Sequence, residues 1–323
     1  MDFNKEQYSF KDYTPRSISD LVKHLTKNRG ITVEDENQLI TYGYYHAYKG
    51  YRFFKRSNNI IPYTSFEQII AVIDYDNALK ANFYPELMFL ETALKNIVVT
   101  IVMDGVPNAS FDDVLKYKMK NDEGDITYNN RRRLKDKMRQ AIVAREDDPI
   151  ISHFVKRGDI VPIWAIFEVL SLSDFSLFIK CLDYHIRREI LKKLGMLYGL
   201  DKDAILLTEI IYTLKDIRNS LAHNNVIFDT RFNDEEVNPM VYEWISMVTG
   251  INDIDFNSIT DYFILITVLL KRIGYKNEKI CSFVARIRGV YDELYKNTPQ
   301  NIYTKITTTK LIYKLRGLEN FLS

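Results

Sequence analysis

Thiol chemistry is almost missing from this chain: its two cysteines, Cys181 and Cys281, stand a hundred residues apart. That count gives neither a disulfide framework nor a cysteine-based zinc pattern, and it predicts a reduced, cytoplasmic setting. An excess of one charge is missing too. With 44 Lys and Arg against 43 Asp and Glu, the net charge is +1, so a nucleic-acid partner has to be held by local basic patches rather than by the field of the whole molecule. Long apolar runs are absent: the longest, Tyr262 to Leu270, is far short of a membrane span. The opening MDFNKEQYSF has no apolar signal-peptide core, so no membrane partner is expected. There is no glycine-rich phosphate loop and no Gly-x-Ser-x-Gly elbow, which leaves kinase, ATPase and hydrolase readings without support. The histidines His24, His46, His153 and His185 lack metal-ligand spacing. Neither a metal nor a cofactor is expected.

What remains is a chain of 323 residues, 46% apolar, with only 12 glycines and 8 prolines. Its apolar residues recur mostly three and four apart, which predicts an all-α fold. A first helix is expected over 17–28, stopped at Arg29-Gly30, and a second from Asp35 into the aromatic segment Tyr42 to Phe54. Ser65 opens a helix to about Ala81, and Pro85 stands where the next can begin. Residues 104–130 are polar and read as an insertion outside the core, followed by a basic helix from Arg131 to Ala144. Further helices are expected from Pro162 and over 184–197, 203–222, 236–248, 257–273 and 276–295, with the tail from Ile302 to Leu322 undecided. The organisation expected is an N-terminal helical and aromatic extension (1–62), a helical core (63–250) and a C-terminal helical region (251–323).

One stretch carries chemistry: Arg218-Asn219-Ser220-Leu221-Ala222-His223. The helix before it has an apolar stripe of Leu207, Ile210, Ile211, Leu214, Ile217 and Leu221. At about 100° per residue, Arg218 falls within about 20° of Ile211, inside that stripe. A guanidinium there needs an anion: a core carboxylate such as Glu91 or Glu168, or a substrate phosphate. Asn219 and His223 are four apart and share a side of the helix, so the amide is placed to brace the ring. Arg218 and His223 are five apart, about 140° around an unbroken helix. Either the helix ends near His223, as Asn224-Asn225 suggests, or a second copy completes the site. Histidine can take and give a proton near neutral pH, and arginine grips phosphate with a fork that stays charged. An RNA 2′-hydroxyl beside its own phosphate is a built-in nucleophile, so such a pair can in principle cut RNA without a metal.

These residues resemble the HEPN superfamily signature. Val161-Pro162-Ile163-Trp164-Ala165-Ile166-Phe167-Glu168, the Tyr42–Tyr51 segment and Phe89-Leu90-Glu91-Thr92-Ala93-Leu94 are similar to blocks of the Abi-like proteins (the AbiD/AbiF group) of bacterial phage defence. The resemblance implies a HEPN-type helical bundle, a homodimer that pairs two motifs, and an endoribonuclease toxin that leaves a 2′,3′-cyclic phosphate. It gives Arg218 the phosphate, His223 the proton transfers and Asn219 the bracing. It also implies a link to a small non-coding RNA, so a non-catalytic RNA-binding component of a ribonucleoprotein is the alternative. Ser171-Leu172-Ser173-Asp174 stands where a glycine-containing turn is expected.

Two other features admit two readings each. Arg131, Lys135 and Arg139 line one side of the basic helix, as an RNA-holding patch or as an ordinary solvated face. The pairs Asp74/Asp76 and Asp253/Asp255 lack a third acidic partner and read as solvated positions or caps.

Overall fold

The computed structural model describes residues 16–119, 125–233 and 235–323, without the side chains of 125–127. Part of the expected N-terminal extension and part of the expected insertion therefore lie outside the described residues. Among the described residues there are fifteen α-helices, no strand, and three isolated β-bridges. The fold is all-α.

Helix α1 (Ile18–Arg29) is capped by the Ser17 side chain and stopped by Gly30, left-handed at φ 68°. The short α2 (Glu36–Gln38) runs into a π-type helical segment, Leu39–Lys49, interrupted at Gly43, where φ 75° and ψ 134° suit glycine. This is the aromatic segment, and its tyrosines divide: Tyr44, Tyr48 and Tyr51 are buried while Tyr45 faces solvent.

The spine is α3 (Phe66–Met103), one helix of 38 residues that runs through Pro85. Proline in a helix interior removes a hydrogen bond and costs about 3 kcal/mol, so the sequence predicts two helices here. Burial on both sides of the proline overrides that local preference, because Phe83, Glu86, Leu87 and Leu90 all point into the core. Then follow α4 (Phe111–Lys118), α5 (Asp125–Ala144), α6 (Pro149–Val155), α7 (Ile163–Val169), α8 (Leu172–Cys181), α9 (Tyr184–Lys193) and α10 (Leu206–Ala222). The stretch expected to stay outside the core sends Val114, Leu115 and Met119 into it. Ser171 starts α8 instead of making a glycine turn; its hydroxyl accepts from the Asp174 amide.

The C-terminal third comprises α11 (Pro239–Thr249), α12 (Ile259–Arg272), α13 (Asn277–Asn297), α14 (Gln300–Thr307) and α15 (Leu311–Leu322). The long apolar run is explained here. From Ile259 to Leu270 every residue of α12 is buried, because α3, α11, α13 and α15 pack around it. No helix among the described residues is long and apolar enough to cross a membrane. The spine meets α7, α9, α10, α12 and α13, and α8 lies against both α5 and α10. The motif helix α10 is thus held between the spine and the α8 layer.

Candidate active site at the end of helix α10

Helix α10 begins at the buried Asp201 carboxylate, which accepts from the Ile205 and Leu206 amides. Its stripe, Leu207, Ile210, Ile211, Leu214, Ile217 and Leu221, is buried as the spacing predicts. At about 1.5–3 kcal/mol per side chain, this burial holds α10 far more firmly than helix propensity does.

Arg218 leaves that stripe only partly covered, with 32% of its side chain exposed. Its Nε donates to Oε2 of Glu91 on α3 at 3.1 Å. The other carboxylate oxygen of Glu91 accepts from Lys95 Nζ at 2.8 Å, and Lys95 also donates to the Leu170 carbonyl at 2.7 Å, at the break between α7 and α8. One carboxylate therefore faces two cations in a largely buried place, and the group is short of one negative charge. Glu168, the other carboxylate the sequence offered, is exposed. Among the described residues neither Nη of Arg218 has a hydrogen-bond partner. Glu91 fixes the guanidinium through one edge and leaves its outer fork unfilled.

His223 is the residue at which α10 stops, exposed and with φ −98°, ψ 9°. The helix closes by a Schellman motif: Asn224 takes φ 53°, its amide donates to Leu221 O, and the Asn225 amide donates to Ser220 O. Asparagine fills the position where glycine is most common, because its short polar side chain tolerates the left-handed region. The helix therefore ends at His223, as Asn224-Asn225 suggested. Asn219 is exposed on the same side, but its amide makes no hydrogen bond to the His223 ring; only its backbone carbonyl accepts, from the His223 amide. Among the described residues the His223 ring has no hydrogen-bond partner.

The loop after His223 is anchored by a residue whose spacing alone predicts a solvated position or a cap. Asp76 is fully buried, and its Oδ1 accepts from the Ile227 and Phe228 amides at 2.9 and 2.8 Å. Its Oδ2 accepts from the Tyr51 hydroxyl and from Lys80 Nζ, both at 2.9 Å. Burial, and then the Asp76 charge, push the Tyr51 hydroxyl well above its usual pKa and keep it a donor. Lys80 also donates to Asn224 Oδ1 at 3.0 Å. The signal present in the sequence was the i, i+4 spacing of Asp76 and Lys80 on a helix with an apolar face. Asp74, by contrast, is exposed as expected, as are Asp253 and Asp255.

On α5, Arg139 is exposed, Arg131 reaches the Leu115 carbonyl at 3.4 Å, and Lys135 stands 3.7 Å from Asp112. Two of the three cations expected to hold RNA are thus turned toward α4. Among the described residues no three His, Cys, Asp or Glu side chains gather as a metal-holding group.

The model of a family described as Abi-like protein matches residues 37–229, more than half of the chain. The matched region contains the aromatic segment, the spine, Glu91 and all of α10. No curated protein and no solved structure matches.

Proposed function

The chain belongs to the Abi-like protein family, and on that premise we propose that it is a HEPN-type endoribonuclease, metal-independent and acting as an abortive-infection toxin in phage defence. One observation carries the reading: Arg218 is oriented by Glu91 through Nε while its outer fork is unfilled, five residues from an exposed histidine. A fully buried structural arginine spends its donors within the fold. This one keeps the pair of N–H groups that matches a phosphate.

In the proposed reaction a 2′-hydroxyl gives up its proton and its oxygen attacks the adjacent phosphorus. The bond to the 5′-oxygen breaks, a 2′,3′-cyclic phosphate forms, and the leaving oxygen takes a proton. The step needs a base and an acid together, and each motif supplies a single histidine. Two copies of the chain supply both, one His223 accepting while the other donates, with Arg218 stabilising charge on the phosphoryl oxygens. This is the argument for a homodimer. Asn219 then works as a neighbour of the scissile phosphate rather than as a brace, since its amide is free to turn outward.

His223→Ala should lower RNA cutting by about 10²–10⁴-fold, the usual contribution of a general acid–base group, while the protein still folds and dimerises. Cutting at the wild-type rate by that variant sinks the assignment, and loss of cutting in EDTA moves the chemistry to carboxylates and a metal. A second reading, a non-cutting component of a ribonucleoprotein, draws support from the His223 ring, which nothing in the described chain holds in one tautomer. A single RNA species that copurifies intact with the wild-type protein would favour it.

A further inference from the structure

Helix α10 has an outward ridge as well as a buried stripe. Tyr212 and His223 are eleven residues apart, so they lie within about 20° of one line along the helix and about 16 Å from each other. Asp216 and Asn219 fall between them on the same side. Tyr212 and Asn219 are exposed, and the Lys215 ammonium sits 3.8 Å from the Tyr212 ring centre. An exposed aromatic ring on a catalytic helix, a few nucleotides' length from the reacting group, has the chemistry to receive a base.

At the Tyr212 end the ridge opens into a cavity of about 310 Å³ between α5, α8 and α10, lined by Arg133, Lys180, Thr208, Glu209 and Tyr212 among others. Thr208 is only 5% exposed, and its hydroxyl has no hydrogen-bond partner among the described residues. A buried hydroxyl left without a partner is uncommon in a finished core. Arg133 is also a wall of a second groove, about 350 Å³, that includes Arg132 and Lys137. Among the described residues Arg132, Arg133, Lys137 and Lys180 make no ion pair, in contrast to Lys135 on the opposite flank. The facing acids are Asp136, Asp174 and Glu209, and Asp174 already accepts from the Ser171 hydroxyl.

We propose that this ridge and the Arg133 flank of α5 hold the single-stranded RNA that leads into the cutting site. Tyr212 is the platform on which one base stacks, and Arg133 and Lys180 grip the neighbouring phosphates. The RNA-holding surface of α5 is then the flank turned to α8, not the one carrying Arg131, Lys135 and Arg139. The inference rests on the nuclease reading for its direction along the helix, but its test separates the two.

Binding of a fluorescent, unstructured oligoribonucleotide is measured by anisotropy against salt, with every variant made in full-length His223→Ala protein so that the RNA survives. Tyr212→Ala should weaken binding about tenfold or more, since one stacked base is worth about 1–3 kcal/mol, and Tyr212→Phe should restore it. Arg133→Ala with Lys180→Ala should weaken binding and flatten the plot of log affinity against log salt by about 1.4, close to 0.7 for each lost contact on a single strand. A duplex of equal length should bind more weakly and ignore Tyr212. Unchanged affinity and slope in these variants, with folding verified by thermal melting, overturn the subsite while leaving cutting at His223 intact. If instead the variants behave as expected but protein with His223 restored never cuts, the subsite stands and the nuclease reading falls.

Discussion

Asp76 and Glu91 stand fifteen residues apart on one helix, both buried and both facing cations, yet they are finished to different degrees. Asp76 receives two backbone amides, a tyrosine hydroxyl and a lysine, so its two oxygens are fully engaged with the fold. Glu91 receives Lys95 and one edge of Arg218, and the guanidinium it holds still has donors to give. The difference separates a group that fixes the chain from a group that presents a charge. Saturation of hydrogen bonds distinguishes the two more sharply than burial does.

That contrast can be broken by substitution, beginning with the largest effect. Asp76→Ala should destabilise the protein by about 3–5 kcal/mol, read from denaturant unfolding, because Lys80 and two amides lose their acceptor in a buried place. A loss below that caused by Glu91→Ala would invert the comparison. Arg218→Ala should reduce RNA cutting by about 10²–10³-fold, the usual cost of one transition-state donor, while costing only about 1 kcal/mol of stability, since the pair with Glu91 is partly open to solvent. Glu91→Gln should lower cutting about tenfold by loosening the guanidinium, with Lys95 keeping one hydrogen bond to the amide oxygen. Asn219→Ala should change stability least, by less than about 0.5 kcal/mol, because its side-chain amide makes no hydrogen bond among the described residues. A large stability loss there would restore the bracing role that its spacing suggested.

Helical periodicity made the fold class readable, and for α10 it gave the six apolar positions of the buried stripe, because one face of that helix is decided by its own sequence; Leu206, Thr208, Thr213 and Ser220 are buried as well, and Arg218, expected inside the stripe, stays partly exposed. The long spine was not readable as one element. Pro85 obeys a local rule that two buried flanks override, and those flanks are buried by α12 and α13, far along the chain. The tail was undecided for a related reason: β-branched residues fit either state, and Ile302, Ile306, Leu311, Leu315 and Leu318 become a helical face only when α11, α12 and α13 are there to cover them. At the site, Arg218 and His223 were legible because the motif is contiguous, and Glu91 was one of two carboxylates in view. For Asp76 the i, i+4 spacing with Lys80 was the one signal, since its backbone partners at Ile227 and Phe228 lie about 150 residues away and leave no trace in side-chain spacing.

Because α3 carries both carboxylates, the ten residues from Arg218 to Ile227 are strung between two posts set about 22 Å apart along its axis. A fully extended chain of that length reaches only about 30 Å, and half of it is coiled, so the span has little slack. His223 sits near the middle of this stay. The number of residues between it and Ile227, more than their identity, sets how far the ring can stray, and a glycine pair spliced in after Asn225 would unmoor the histidine without altering any group proposed to contact RNA.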